Sequence, residues 1–325
     1  MPAPQSLTGG KLLFQRQTFR LSTRPVTPLA LLTHLCAYAR VVGRCPTPRF
    51  LLEAKRKRKT IALRAKVQTE NCPTNSNLKG ENMKKTDLAI ESAKIAAGMP
   101  GLRSVSRNIG GVKITDIKIP PEAGAHLSRP AGRYITLEGD PSGSALPALL
   151  KRAIEQLLPP SGLILAAGLG NPDITRDSLG ALTVRRLIPR KGSRYTLAAV
   201  ETDVAARTGI ETVRMVRSIA HELNATCVLA VDALCCNKPS RLCRTVQLTT
   251  AGITPGSGAA APRKELSART VGVPVIAAGV PTAALLSSVT GIPEHKKYLA
   301  APTDEDIEAK LWSDCIATAI NAIIK

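Results

Sequence analysis

Aromatic residues are scarce in this sequence, and several patterns that mark large classes of protein are missing from it. Aromatics make up only 2% of the 325 residues, whereas proteins that bind single-stranded nucleic acid stack the bases on aromatic side chains. No uncharged apolar run reaches 18 residues, so the sequence predicts no membrane-spanning helix. The eight cysteines are too sparse for the framework of a small disulfide-stapled domain, which favours reduced thiols.

The usual groups of metal and nucleophilic catalysis are also poorly represented. The four histidines show no metal-binding spacing, and the cysteines form no Cys-x-x-Cys pair, so we predict no metal and no cofactor. Ser257 has no evident His and Asp partners for a triad. We interpret the glycine-rich loop that holds Gly256, Ser257 and Gly258 as a binder of substrate backbone or as a tight turn.

The positive charge is unevenly distributed. The chain carries a net charge of +21, but residues 1–82 alone hold 15 Lys and Arg against 3 Asp and Glu. An organelle transit peptide and a basic nucleic-acid patch are two interpretations of this segment. We favour a third, in which 1–82 is a disordered or non-native extension ahead of Met83. The remaining residues, 83–325, are then predicted to form a single α/β domain.

The hydrophobic pattern of 83–325 changes along the chain. Alternation over 111–119 and 133–138 predicts short strands toward the amino terminus, and continuous apolar runs farther on predict strands buried on both faces. The later strands are predicted at 163–167, 226–231, 245–249 and 273–280, and the helices at 145–158, 177–187, 209–224 and 263–268. This alternation predicts an α/β fold with a mostly parallel sheet flanked by helices.

Reactive side chains of parallel sheets collect in loops at the carboxyl ends of the strands. Three segments qualify here, 168–177, 232–236 and 252–263. Asp177 stands near a helix start in the first, and Asp232 directly follows a buried strand in the second. Because carboxyl ends of parallel strands share one edge, we expect these two aspartates to meet.

The segment GLGNPD, 168–173, raises the question of whether the first loop holds a phosphate or presents a carboxylate. It lacks the third glycine or the Gly-Lys-Ser/Thr ending of phosphate loops. Pro172 removes an amide donor, and Asp173 and Asp177 would repel an anion. Two adjacent carboxylates would instead share a proton, so that the ionised one activates water and the protonated one donates to a scissile bond. This chemistry hydrolyses peptides without a metal.

The chain resembles a known family at several long motifs that occur in order. They are TDLAIE (86–91), GRYITLE (132–138), GLGN (168–171), TRDSLG (175–180), TGIET (208–212), VLAVDAL (228–234), TPGSG (254–258), RKELS (263–267) and GVPVIAAGVPT (272–282). In these motifs the sequence is similar to the germination proteases of endospore-forming bacteria.

The resemblance implies an endopeptidase that degrades small acid-soluble DNA-binding spore proteins during germination, as a homotetramer in the cytoplasm of the spore core. It implies a fold like that of hydrogenase maturation peptidases and a catalytic pair formed by Asp177 and Asp232, with Asn171 and Glu211 in support. It also implies a zymogen that cuts itself between Asp87 and Leu88. With a start at Met83, the propeptide would be only 83–87.

Two other functions remain open at this point. The same loops could grip a nickel or another ion in a metal-dependent maturation-type peptidase, although no well-placed histidine supports this. A basic nucleic-acid-binding protein is the other alternative. It is disfavoured because aromatics are few and most of the excess charge precedes Met83. We therefore expect protein substrates, no membrane partner and no direct nucleic-acid partner.

Overall fold

A computed structural model describes residues 86–93, 100–127, 129–255 and 264–325. The predicted extension 1–82 and residues 83–85 lie outside the described residues. The strands, numbered β1 to β10 in chain order, are Arg103–Ile109, Val112–Ile119, Gly132–Glu138, Gly162–Gly168, Arg190–Lys191, Tyr195–Glu201, Cys227–Cys236, Thr245–Thr249, Val275–Leu285 and Leu299–Ala300. The helices, numbered α1 to α9, are Ala89–Ala93, Pro121–Leu127, Ala145–Glu155, Leu179–Val184, Ala205–Thr208, Thr212–Glu222, Ala268–Val271, Leu286–Thr290 and Glu305–Asn321. Short 3-10 helices cover Thr175–Asp177, Pro239–Arg241 and Pro293–Lys297.

The strands of the described chain join in one mixed sheet. Its order is β1-β2-β3-β8-β9-β7-β4-β6-β5, and β10 pairs with β9. Strands β9, β7, β4 and β6 are parallel to one another and form what we call the parallel half. Strands β1, β2, β3 and β8 pair antiparallel and form the antiparallel half. The predicted α/β fold with additional strands toward the amino terminus is confirmed, with parallel pairing concentrated in the four central strands.

Helices cover both faces of the parallel half. On one face, α3, α4 and α9 pack against a core that includes Leu179 and Val231. On the other face, α6 packs Val213 and Val216 against a second core that includes Ala230. Because successive residues of a strand point to opposite faces, β7 contributes to both cores. This two-sided burial explains the continuous apolar runs in the sequence.

Apolar spacing predicted these helices well but overestimated their length. The helix expected at 145–158 is α3, whose Leu146, Leu150 and Ile154 are buried at the three- to four-residue spacing of one helix face. The helices expected at 177–187 and 209–224 are the shorter α4 and α6. None of the described helices combines the length and the hydropathy needed to cross a membrane.

The prediction that 232–236 is a loop is wrong. Strand β7 continues through Asp232 to Cys236, and β9 pairs with it as far as Ala284. Cys235 also exchanges backbone contacts with Asp87, whose N–H donates to the Cys235 carbonyl at 2.8 Å. Partners from distant parts of the chain thus supply the hydrogen bonds that extend the strand, and an apolar pattern does not reveal such partners.

The helix predicted at 263–268 is also wrong. Helix α7 begins only at Ala268. Its amino-terminal end is capped by Thr270 Oγ1, which accepts the Ser267 N–H at 3.0 Å. Leu266 instead pairs with Ile253 in an isolated antiparallel bridge. Long-range backbone pairing therefore holds Leu266 in a β-bridge, although the local apolar spacing predicted a helix there.

Candidate active site

The loop after β4 presents the carboxylate of Asp177. This residue ends the 3-10 helix Thr175–Asp177, and its Oδ2 accepts the backbone N–H of Asn171 at 2.8 Å. Gly170 has φ +94°, and a Cβ there would lie 2.1 Å from the Asp177 carbonyl oxygen. Only glycine fits that approach, so the loop folds back on Asp177 and uses one of its amides to hold a carboxylate.

Asp232 lies inside β7 and is only 2% exposed. Its Oδ1 accepts the N–H of Ala233 at 2.9 Å. On the same face of the strand, Ala230 belongs to the core under α6 and Leu234 to a third core on the antiparallel half. The carboxylate therefore lies where two apolar cores adjoin, a costly place for a charge that lacks compensating contacts.

One short stretch of chain, residues 169–170, connects the surroundings of the two aspartates. The Leu169 N–H donates to the carbonyl of Val231, the neighbour of Asp232, at 2.8 Å. Gly170 is in contact with Asp177. The structure therefore brings the first loop, with Asp177, against the part of β7 that carries Asp232.

The two supporting residues proposed from the sequence differ in position. Asn171 contacts Asp177 through its backbone, while its side-chain oxygen accepts from Asp173 N and from Arg207. Glu211 precedes α6 and pairs with Lys264 at 3.2 Å on an exposed surface. Gly256, Ser257 and Gly258 lie outside the described residues.

A row of buried polar or small residues crosses the sheet at the level of Asp232. Strand register places Asp232 beside Gly279, Gly279 beside Gln247, and Gln247 beside Thr136. Residues in lateral register share a face, and adjacent strands are about 4.8 Å apart. Because Gly279 has no side chain, the Leu234 side chain packs over it, where an added Cβ would lie 2.5 Å from Leu234 Cγ.

Residues 86–93, which we call the docked segment, lie over this face of the sheet. Leu88 and Ala89 are fully buried, and Ile90 is nearly so. They pack in the third core with Ile117 and Tyr134 of the antiparallel half. The segment that contains the expected self-cleavage bond is therefore part of the folded structure.

Polar side chains hold the backbone of the docked segment. Gln247 accepts the Ala89 N–H through Oε1 at 2.6 Å and donates from Nε2 to the Asp87 carbonyl at 3.1 Å. Arg129 donates to the Asp87 carbonyl at 2.9 Å and to the Thr86 carbonyl at 2.6 Å. Contacts to backbone atoms place a peptide without regard to its side chains.

Two acidic side chains of the docked segment are also bound. The Asp87 carboxylate accepts the Cys235 N–H at 2.8 Å. The Glu91 carboxylate, buried in the fold, accepts the N–H groups of Asn237 and Lys238 and pairs with buried Arg241 at 3.2 Å. The sequence patterns did not identify Arg129, Gln247 or Arg241, because each is brought to the segment only by the fold.

A cavity of about 70 Å³ lies between the docked segment and the sheet. Its lining includes Asp87, Arg129, Gln247, Gly279 and Leu234. A cavity of this volume with several polar groups can hold water. Solvent therefore has room beside Asp87 and Gln247.

Electrostatics distinguish the groups near this cavity. Burial, with the nearby carboxylates of Asp87 and Glu91, raises the pKa of the Cys235 thiol to about 12, so it is not a thiolate nucleophile at neutral pH. Burial lowers the pKa of Arg129 below its ordinary value, against the opposing effect of Tyr134 and the two carboxylates. Within the described chain, no three His, Cys, Asp or Glu side chains are grouped to hold a metal ion.

The structure is thus that of an α/β protein with a carboxylate buried in its sheet and a cleft that holds a segment of its own chain through backbone contacts. A family profile described as germination protease matches residues 79–299. The chain therefore belongs to the germination protease family and is an endopeptidase. The family resemblance seen in the sequence motifs is confirmed.

Individual relatives agree with the profile. The germination protease of Clostridium tetani is 32% identical over 61% of this chain and 69% of its own length. That of Bacillus pumilus is 32% identical over 61% of this chain and 62% of its own length. That of Caldanaerobacter subterraneus is 30% identical over 68% of this chain and 75% of its own length.

Among solved structures, the chain is similar to the [NiFe] hydrogenase maturation protease HycI from Thermococcus kodakarensis. The identity is 15% and the TM-score is 0.31, over 52% of this chain and 98% of that one.

Proposed function

We propose that this protein degrades small acid-soluble spore proteins during germination, and that Asp177 and Asp232 activate the water that cuts the peptide bond. We also propose that it removes its own amino-terminal segment between Asp87 and Leu88. On this proposal it works as a homotetramer in the spore core and needs no cofactor. Membership of the germination protease family supports the substrate class.

The observation that carries the proposal is the position of the docked segment. The Asp87 carbonyl, which belongs to the bond expected to be cut, is bound by Gln247. Gln247 lies two strands from Asp232 in one lateral row, with Gly279 between them. The corresponding Cα separation is about 10 Å, so the expected cut bond and Asp232 lie on the same face of the sheet.

The chemistry follows from two carboxyl groups with one proton between them. The ionised group takes a proton from water while the water oxygen attacks the carbonyl carbon. The protonated group then donates to the departing amide nitrogen, so no covalent intermediate with the enzyme forms. The loop contact from Asn171 holds the Asp177 carboxylate, and β7 holds Asp232.

The docked segment also indicates what kind of sequence the cleft accepts. Its residues place an acidic side chain before the expected cut, a fully buried leucine directly after it and Glu91 three residues after that leucine. Substrates that carry acidic residues around a short apolar stretch would make the same contacts. This supports acid-soluble spore proteins with similar cut sites as substrates.

The direct test incubates the purified chain with a small acid-soluble spore protein and follows cleavage by gel and mass spectrometry. Asp177→Asn and Asp232→Asn should each lower the rate by about 10²–10⁴-fold, the usual contribution of general acid–base groups. Asp173→Asn is the matched control, because Asp173 lies in the same loop but is exposed and pairs with Arg207. It should cleave at the unaltered rate.

Cleavage by all three variants at the unaltered rate would reject the aspartate pair. Loss of activity on addition of EDTA would favour the metal-dependent alternative instead. Light scattering of the same preparation measures the oligomeric state, and a mass other than that of four chains would reject the tetramer.

A further inference from the structure

The carbonyl oxygen of Asp87 receives two hydrogen bonds from side chains that no sequence motif identified. Arg129 Nη1 donates to it at 2.9 Å and Gln247 Nε2 at 3.1 Å. A carbonyl oxygen gains negative charge when water adds to its carbon. Donors already directed at that oxygen stabilise this charge without reorganising during the reaction.

The orientation of the Gln247 amide is fixed by its second contact. The Ala89 N–H can only donate, and it points at Gln247 Oε1 at 2.6 Å. The NH₂ group must therefore face the Asp87 carbonyl. Arg129 is similarly fixed, since its guanidinium also donates to the Thr86 carbonyl and to the Ser92 hydroxyl.

The surroundings strengthen both donors. Arg129 is part-buried, and its Nε and Nη2 also donate to the same segment. Gln247 is 5% exposed. In such a water-poor setting a hydrogen bond to a developing negative charge is worth more than it is in solvent.

We infer that Arg129 and Gln247 are catalytic residues that bind the oxyanion formed at the cut peptide bond, which rests on the proposed function. Water oxygen bonds to the Asp87 carbonyl carbon, its proton passes to the ionised aspartate, and the carbonyl electron pair moves to the oxygen held by Arg129 and Gln247. The carbon–nitrogen bond to Leu88 then breaks, the carbonyl re-forms, and the nitrogen takes the proton of the protonated aspartate. A peptide substrate would bind its carbonyl in the same place.

The test uses the full chain and the first-order rate of its own cut between Asp87 and Leu88. Gln247→Glu keeps the oxygen that accepts from Ala89 but replaces the donating NH₂ by a second carboxylate oxygen. Arg129→Met removes the other donor, and Arg129→Lys keeps the charge. We expect Gln247→Glu and Arg129→Met to slow the cut by about 10²–10³-fold, the effect of losing one oxyanion donor, with Arg129→Lys between them and the unaltered chain.

Matched controls are available away from the docked segment, one after helix α3 and one on β3. Gln156 is exposed and accepts from Arg133, and Arg133 pairs with Asp116. Gln156→Glu and Arg133→Met repeat the chemical changes away from the docked segment. Both should cut at the unaltered rate.

Hydrogen exchange of the 86–93 amides distinguishes a variant that has lost catalysis from a variant that has released the docked segment. Slow cutting while these amides stay protected supports the inference. An unaltered rate in folded Gln247→Glu or Arg129→Met overturns it, and so does a rate that falls only in proportion to lost protection.

The spore protein supplies an independent measurement. A lower kcat with little change in KM supports oxyanion binding, whereas a higher KM with unchanged kcat overturns it. If the unaltered chain cuts the spore protein and Asp177→Asn or Asp232→Asn abolishes this, the proposed function stands whatever the two donors do. An unaltered chain that cuts neither protein overturns both proposals.

Discussion

The parallel and antiparallel halves of the sheet share one face, but different parts of the chain cover it. Over the parallel half, α6 contributes Val213 and Val216 to a core with Ala230. Over the antiparallel half, the cover includes the docked segment, which contributes Leu88 and Ile90. One cover is a helix formed by local spacing, and the other is a short segment, ending in helix α1, that is held by side chains from distant parts of the chain.

Asp232 lies between these two covers. Its carboxylate is buried at the boundary between the core under α6 and the core under the docked segment. Because the two covers come from different parts of the chain, we expect the docked segment to separate from the sheet without unfolding the parallel half. Five experiments test that difference.

The largest effect is expected for Arg241→Met. This substitution leaves the buried Glu91 carboxylate without its ion-pair partner, and removing one member of a buried pair costs about 3–5 kcal/mol. The docked segment should lose hydrogen-exchange protection while the strands of the parallel half keep theirs. Arg185→Met removes an exposed partner of Glu201 and should cost at most about 1 kcal/mol. Equal loss in both halves would contradict separable covers.

Leu88→Ala should weaken the same cover by a different route. Leu88 is fully buried, and truncating a buried leucine costs about 2–5 kcal/mol. Limited proteolysis near residues 86–93 should therefore become faster, at unchanged thermal stability of the parallel half. Ile307→Ala is the control, since Ile307 is 54% exposed and should leave proteolysis unaltered.

Gly180→Ala should do the reverse and disturb the parallel half. A Cβ at Gly180 would lie 2.3 Å from Leu169 N and 2.4 Å from the Val231 carbonyl oxygen. Overpacking of this kind costs about 1–3 kcal/mol, and it would shift the connection between the two aspartates. We expect a lower melting temperature and slower spore-protein cleavage. Gly143→Ala, at a surface turn whose nearest contact is 3.2 Å away, should change neither.

The smallest effect is a pH dependence from buried thiols. Burial raises the pKa of both Cys227, in the parallel half, and Cys236, in the core beneath the docked segment, from 9.0 to about 12. Unfolded thiols ionise first, so stability should be level below about pH 9 and decrease as the pH rises toward 12. Urea midpoints at pH 8, 9 and 10 measure this decline.

Thiol labelling at pH 8 gives the same comparison residue by residue. Both cysteines are fully buried, so each reacts only when its cover opens. Peptide mass spectrometry should show Cys236 labelled faster than Cys227, and Arg241→Met should widen the difference. Equal rates in every variant would mean that the two halves open together.

Local patterns predicted the helices and strands whose own apolar residues are buried in the core. The period of α3 and the apolar run of β4 are examples, because each places its own residues against the core. Strands β1 and β6 and helix α9 were not predicted from these patterns. In β1 every residue is exposed, so hydrophobicity gives no signal there, and its existence depends on pairing with β2.

The site was predicted in part. Asp177 lies in the expected loop and is held by Asn171, and residues 169–170 connect it to the neighbour of Asp232 as strand topology suggested. Glu211 lies in an exposed ion pair, which leaves its supporting role a prediction. Arg129, Gln247 and Arg241 act on residues 37 or more positions away, a separation at which spacing carries no information.

The sequence by itself determined the α/β class and the family, because apolar periodicity and ordered motifs are local properties of the chain; the catalytic roles of the two aspartates stay a prediction. Only the tertiary structure decided that β7 carries Asp232 within a strand, that Leu234 packs over the neighbouring Gly279, and that Gln247 and Arg129 hold the Asp87 carbonyl. These facts depend on strand register and on side chains brought together from distant positions. Each backbone hydrogen bond needs a partner, and the fold alone determines which partner is in reach.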